Sequence, residues 1–132
     1  MASQKVRTTL SKNNPYYISK NRRLELKYFC LQYKEWEKYL RDYYLRYGTG
    51  EFSDPTGEEA VLRTLYSSYI DLITETVKIA GGDFWEYLFK AVTEDLSYVN
   101  LRTLHNIPCC KDIYYESYHK FWYLLSRKEH MF

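Results

Sequence analysis

The chain has 132 residues and a formal net charge of +2, with 45% hydrophobic and 27% charged residues. A chain of this length forms about one domain and buries a core without disulfides or metal ions. Its five glycines and three prolines are too few for a many-turned β fold or a glycine-rich phosphate loop, and no apolar run reaches membrane-spanning length. We therefore expect an all-α cytoplasmic protein that has no contact with a membrane.

Charges are unevenly distributed along the chain. Residues 1–50 contain eleven basic and four acidic residues, residues 51–96 three basic and ten acidic ones, and residues 97–132 five basic and three acidic ones. The basic first part could meet phosphate groups while the acidic middle meets a basic surface. Ordinary solvated helix faces without any partner would give the same distribution.

Residues 1–14 show no apolar periodicity, so we expect a flexible basic arm there and one helical domain over residues 15–132. From Ser19 to Tyr47, apolar residues recur in alternating steps of three and four, which predicts one long helix that ends before Gly48. The apolar positions are Leu26, Phe29, Tyr33, Trp36, Leu40, Tyr43 and Tyr47.

A second helix with the same periodicity is predicted up to residue 80. Thr56, with Glu59 three residues later, has the pattern of a capping box at its start, and Gly81 marks its end. The apolar positions are Leu62, Leu65, Tyr69, Leu72, Thr76 and Ile79. Two such helices joined by a short loop predict a long antiparallel helical hairpin over residues 19–80.

Residues 83–128 have the pattern of a helix-turn-helix-like unit that follows the hairpin. Asp83 is the expected cap of a third helix, and Ser97 is the expected cap of a short fourth one. Asn106 tolerates the left-handed conformation of a tight turn, and Pro108 suits the first turn of the last helix. In a helix-turn-helix, that last helix docks in the major groove of DNA.

The last predicted helix divides into two faces. Ile113, Ser117, Phe121 and Leu124 share the inner face, with Tyr114, Tyr118 and Leu125 beside it, and Lys111, Asp112, Tyr115, Glu116 and His119 share the outer face. Lys111, Asp112 and Tyr115 are the expected base readers. The rest of the candidate DNA-binding set is His119, Lys120, Arg127 and Lys128 on the helix and Lys5, Arg7 and Lys12 on the arm. A plain helical corner is the alternative, since two carboxylates on the outer face would repel phosphate.

Sixteen tyrosines are far more than ordinary usage. Tyrosine buries a large ring while its hydroxyl seeks water or a partner, which suits interfaces as well as half-buried helix faces. A surplus patch that supports homodimer formation is expected at Tyr39, Tyr43, Tyr44 and Tyr47. A tyrosine-rich core and rim is the alternative.

No pattern of catalytic or metal-binding residues is evident. His105, Cys109, Cys110 and His119 match no common zinc spacing. Cys109 and Cys110 are expected at the start of a helix, where neighbouring side chains diverge too far for an easy disulfide, so reduced thiols are predicted. We therefore expect a protein that is not an enzyme and has no cofactor and no metal.

Two segments resemble a known family. The stretch from Leu96 through Ile107 to Leu125 is similar to the sigma-factor-like helix-turn-helix of small phage regulators of the RinA and ArpU type, and the opening Asn14 to Lys20 resembles that of prophage proteins from Firmicutes. The resemblance implies a transcription regulator that binds double-stranded DNA, contacts RNA polymerase and acts in the cytoplasm of a bacterial host cell.

A second hypothesis is a small phage protein that inhibits a host nuclease defence, as an anti-CRISPR protein does, by protein–protein binding. Its acidic middle segment would then imitate the phosphates of DNA. The residues involved are Glu51, Asp54, Glu58, Glu59, Asp71, Glu75, Asp83 and Glu86. This hypothesis needs an exposed acidic face, whereas DNA binding needs the basic residues on one shared face.

Overall fold

The computed structural model describes residues 10–48 and 57–129, and within these ranges it contains helices and no strand. The helices are α1 (Lys20–Cys30), α2 (Tyr33–Tyr47), α3 (Glu58–Gly81), α4 (Trp85–Glu94), α5 (Tyr98–His105) and α6 (Lys111–Glu129), and a 3-10 turn at Gly82–Phe84 precedes α4. The all-α prediction is confirmed for this part of the chain. None of these helices is long and apolar enough to cross a membrane.

The prediction of one long helix from Ser19 to Tyr47 is wrong. The first helix ends at Cys30, and the backbone N–H groups of Leu31 and Gln32 donate to the carbonyls of Lys27 and Phe29 before α2 begins. The apolar spacing continues unchanged through this break, so periodicity does not reveal it. Tertiary packing explains the break, because it brings the rings of Phe29 and Trp36, one from each helix, to a centroid distance of 5.0 Å.

Helices α2 and α3 lie side by side and run in opposite directions. The early part of α2 meets the middle of α3, where the rings of Trp36 and Tyr69 lie 5.1 Å apart, and its end meets the start of α3, where Arg46 pairs with Glu59 at 3.2 Å. The expected cap Thr56 lies outside the described residues. Gly57 stands at the N-cap of α3 without a side-chain hydrogen bond.

The prediction that Asp83 caps a helix is also wrong. Asp83 lies within the 3-10 turn, and α4 begins at Trp85 without a side-chain cap. Gly81, the residue before the 3-10 turn, is explained by close packing, because a Cβ at this position would lie 3.0 Å from the Cβ of Trp85. The end of α3 therefore packs directly against the first turn of α4, which leaves no room for a capping loop.

The connection between α5 and α6 has its expected chemistry but not its expected length. Ser97 caps α5 in a capping box with Asn100, and Asn106 is left-handed (φ 55, ψ 47), so both predictions are confirmed. The expected positions of Pro108 and of Cys109–Cys110 in the last helix are wrong, because α6 begins at Lys111. These residues lie in the connection, which stays close to the core because the hydroxyl of Tyr98 donates to the Cys109 carbonyl at 2.8 Å.

We expect Tyr98→Phe to lower the free energy of unfolding by about 1–3 kcal/mol, because it leaves a buried carbonyl without a donor. Urea denaturation followed by far-UV circular dichroism measures this change. The control is Tyr28→Phe, since that side chain is 61% exposed. Equal stability of the two variants would contradict the structural role of the Tyr98 hydroxyl.

All of the helices except α2 supply a fully buried side chain to one core. They include Leu26, Ile73, Leu88, Leu101, Phe121 and Leu125, and α2 adds the buried rings of Tyr33 and Trp36 to the same core. The predicted inner face of α6 is wrong at Ile113, which is 53% exposed, while Tyr114 and Trp122 are buried. Aromatic or aliphatic residues occur on most sides of α6, so tertiary contacts determine its inner face, and they bury the larger aromatic rings.

Candidate nucleic-acid interface

The structure separates the residues expected to read DNA bases. Lys111 and Asp112 are exposed at the start of α6, whereas Tyr115 is half-buried and His119, from the same candidate DNA-binding set, is buried. Positions 112, 115, 116 and 119 share one side of the helix. Two members of the expected outer face therefore belong to the packed part of the molecule.

Tyr115 is held by neighbouring rings. Its ring centroid lies 5.0 Å from that of Tyr114, 5.4 Å from that of Tyr118 and 6.4 Å from that of Tyr98. Burial, and then the neighbouring Tyr118, raise the pKa of the Tyr115 hydroxyl. The aromatic ring of Tyr115 is therefore explained by packing between α5 and α6 rather than by contact with a base.

The same side of α6 faces residues 10–16 across a groove of about 510 Å³. The lining residues are Leu10, Asn14, Pro15, Tyr16, Asp112, Tyr115, Glu116 and His119. A ring contact between Tyr16 and Tyr123, with centroids 5.7 Å apart, fixes the segment against the helix. Since the groove also carries two carboxylates, this side of α6 disfavours a phosphate backbone.

Basic side chains occur farther along α6. Lys120, Tyr123 and Arg127 follow one another in helical steps of three and four on its outer side, and Arg127 donates to the Tyr123 hydroxyl at 2.9 Å. Lys128 lies about a third of a turn farther round and is half-buried. The C-terminal half of α6 thus presents two of the three cations that the sequence assigns to phosphate contacts.

The first turn of α1 lies beside this part of α6. The Nε and Nη2 atoms of Arg22 donate to the hydroxyl and the carbonyl of Ser126 at 3.0 and 3.1 Å. Lys20 is exposed in the same turn, which contains no acidic residue and is capped by Ser19. We call the surface formed by Lys20 and Arg22 on α1 and by Lys120 and Arg127 on α6 the basic face. Lys12 is exposed in the segment before α1.

Among the side chains that the structure describes, one acidic residue pairs with the basic face. Glu25 accepts from Arg22 at 3.3 Å, and its carboxylate is 68% exposed. An exposed pair of this kind contributes little stability. No described carboxylate forms an ion pair with the other members, so their positive charge is available to a phosphate backbone.

Sequence reasoning missed Lys20, Arg22 and Tyr123. Arg22 and Ser126 are 104 positions apart, so no local pattern joins them. The one available signal in the sequence was Ser19, because a serine often precedes the first residue of a helix. The residues that follow it form a basic first turn. Lys5 and Arg7 lie outside the described residues.

The expected tyrosine patch is largely internal. Tyr43 is 3% exposed, Tyr39 and Tyr47 are half-buried, and Tyr44 is 37% exposed. The hydroxyl of Tyr39 donates to the Glu59 carbonyl, and that of Tyr47 donates to the Glu59 carboxylate. Three of the four tyrosines thus serve contacts between α2 and α3, which corrects the expectation of a surplus surface patch.

The cysteines and histidines form no metal centre in the part of the chain that the structure describes, where no group of three His, Cys, Asp or Glu residues could hold an ion. Within the described residues no cysteine forms a disulfide, and Cys30 and Cys109 are buried while Cys110 is exposed. Burial raises the pKa of the Cys109 thiol. It therefore stays protonated at neutral pH, unlike a nucleophilic cysteine.

Comparison of the chain with protein-family models, with curated proteins and with solved structures finds no match. The resemblance to the RinA and ArpU regulators therefore stays a prediction, and the geometry of the basic face is the basis for a functional assignment.

Proposed function

We propose that this protein binds double-stranded DNA as a phage-type transcription regulator, and that the basic face supplies its phosphate contacts. The observation that carries the proposal is the pair of hydrogen bonds from Arg22 to Ser126. These bonds join the first turn of α1 to the C-terminal half of α6. Together with the packing of both helices in the core, they fix the basic residues of α1 relative to those of α6.

Two further features support phosphate binding there. The N-terminus of α1 presents backbone N–H groups and the positive end of a helix dipole, and an acidic residue is absent from its first turn. Tyr123 lies between Lys120 and Arg127, and a tyrosine hydroxyl donates to phosphate oxygens. A duplex backbone placed on this surface would meet a helix terminus and several cations together.

In this proposal, α2 and α3 form a hairpin scaffold. Helices α5 and α6 form a helix-turn-helix-like pair, and the C-terminal half of α6 docks on the DNA. Asp112 and Glu116 precede Lys120 on the same side of α6 by two turns and one turn, so the duplex would contact the helix only from Lys120 onward. The resemblance to the RinA and ArpU regulators adds RNA polymerase as a protein partner and the bacterial cytoplasm as the place of action.

We expect a labelled mixed-sequence duplex to bind with an affinity that falls steeply as salt rises. The double variant Lys120→Ala/Arg127→Ala should reduce the slope of log K against log salt by about 1.8, because each phosphate contact contributes about 0.9. Fluorescence anisotropy at several salt concentrations measures both quantities.

The matched control is Lys38→Ala/Arg41→Ala, which removes two exposed cations from α2. It should leave the slope near that of the unaltered protein. An equal reduction in both variants would overturn the assignment to the basic face. Absence of binding at low salt would overturn DNA binding itself.

The second candidate is an inhibitor of a host nuclease, and one observation favours it. Asp71, Glu75, Asp83 and Glu86 are all exposed, and within residues 10–48 and 57–129 none of them forms an ion pair. They could imitate phosphates on a basic channel of a partner. If duplex DNA does not bind, we would test whether the protein blocks DNA cleavage by a Cas nuclease and whether Asp71→Asn/Glu75→Gln relieves the block.

A further inference from the structure

A small inner pocket lies beneath the groove between residues 10–16 and α6. Its lining residues are Leu10, Tyr16, Ile18, Arg23, His119 and Trp122, and its volume of about 10 Å³ has room for one oxygen-sized group. The Nε of Arg23 and the Nε1 of Trp122 are both buried without a hydrogen-bond acceptor among the described residues. Buried donors are nearly always satisfied, so an acceptor oxygen, from a water molecule or a ligand, is expected beside this pair.

The inner pocket and the outer groove are continuous, because Leu10, Tyr16 and His119 line both. The groove volume of about 510 Å³ is in the range of small-molecule sites. Asp112 and Glu116 stand on the same side of the groove, one helical turn apart, and both are exposed. The two compartments therefore differ in charge, with donor groups inside and carboxylates outside.

The spacing of the compartments limits the length of a ligand. Glu116 and Trp122 are six residues apart on α6, which corresponds to about 9 Å along the helix axis and to directions about a third of a turn apart. A linear molecule of that reach, with an anionic end and a cationic end, would match both compartments. Basic amino acids have these two ends, and their α-ammonium group would lie in the open part of the groove.

We propose that the groove and the inner pocket bind a small molecule with a carboxylate at one end and a guanidinium or amine at the other, the chemistry of a basic amino acid. One carboxylate oxygen enters the inner pocket and accepts from Arg23 and Trp122, and the rest of the molecule lies in the groove. The cationic end pairs with Asp112 and Glu116, a charge-assisted contact that favours a planar guanidinium. The ring of Tyr115, which also lines the groove, offers a surface for that group.

The probe is L-arginine, and the readout is the indole N–H signal of Trp122 in a proton–nitrogen NMR spectrum of the full chain. The protein contains three tryptophans, so the three indole signals are assigned with Trp122→Phe, Trp36→Phe and Trp85→Phe. Two of these variants suffice if one fails to fold. We expect a saturable shift of the Trp122 signal, because a hydrogen bond forms at its Nε1 atom, and little change in the other two signals.

The double variant Asp112→Asn/Glu116→Gln should weaken arginine binding about tenfold or more, since it removes the partners of the cationic end. The matched control is Asp71→Asn/Glu75→Gln, which makes the same substitutions at the same spacing on α3. This control should bind arginine as the unaltered protein does.

Three results would overturn the proposal. The first is a Trp122 signal that does not respond to arginine, as expected if the pocket holds only water. The second is an equal response to agmatine, which lacks the carboxylate. The third is an equal loss of affinity in the control on α3.

Discussion

Phe121→Ala should lower the free energy of unfolding by about 3–5 kcal/mol, the usual range for removing a buried phenylalanine ring. The side chain is 0% exposed and is the largest of the fully buried ones. Because domains of this size are stable by about 5–15 kcal/mol, the variant loses a large fraction of its stability. Urea denaturation monitored by circular dichroism gives the value.

Ile113→Ala is the matched control, since it truncates an apolar side chain on the same helix. Ile113 is 53% exposed, so we expect a change within about 0.5 kcal/mol. The pair of variants also tests which side of α6 faces the core. A large loss for Ile113→Ala and a small one for Phe121→Ala would show that the helix is rotated relative to this structure.

Stability should fall as pH rises above about 10, by about 1.4 kcal/mol per pH unit for each tyrosine that stays protonated only in the folded state. Burial, and then the neighbouring Tyr118, Tyr115 and Cys109, raise the pKa of Tyr114 far above its ordinary value. A raised folded pKa means that the stabilisation is complete below the unfolded pKa and is lost as pH rises through the alkaline range. Burial raises the pKa of Tyr33 in the same direction.

Unfolding in urea at a series of pH values between neutral and strongly alkaline measures this dependence. Tyr114→Phe removes the ionisable hydroxyl, so its stability should fall less steeply above pH 10 than that of the unaltered protein. Tyr28→Phe, at a side chain that is 61% exposed, should leave the dependence unchanged. The same steepness in all three proteins would contradict the role of Tyr114.

The signals that predicted local structure correctly are short in range. Ser97 caps α5, and Asn106 ends it in the left-handed conformation. Each depends on a side chain and a backbone within a few positions of it, so the chemistry is complete in the sequence. Asp83 carries a similar signal, yet the close approach of Gly81 to Trp85 leaves no loop for it to cap.

Patterns of apolar residues were less decisive. The spacing between Leu26 and Tyr47 is compatible with one straight helix or with two helices separated by a turn at Leu31. Packing among the rings of Phe29, Trp36 and Tyr69 favours the two helices. On α6, aromatic or aliphatic residues occur on most sides. The periodicity therefore predicts a packed helix, but it does not predict which side of the helix faces the core.

The candidate site depends on contacts that are distant in sequence. The residues assigned to phosphate on α6 could be listed from the sequence because lysine and arginine are visible there. Their proximity to the first turn of α1 depends on the hydrogen bond between Arg22 and Ser126, which are 104 positions apart in the sequence. The groove that covers Tyr115 and His119 likewise needs residues 10–16 to pack against α6.

The all-helical class, the cap at Ser97, the end of α5 at Asn106 and the segregation of charge are properties of the amino-acid sequence alone. The break after Cys30, the orientation of α6 and the composition of the basic face come from the packed molecule. Helix formation and capping depend on residues near in sequence, whereas the hydrophobic effect favours burial of apolar surface without specifying which helix faces meet. Shape complementarity among large rings then decides which helix faces meet and which charges share a surface.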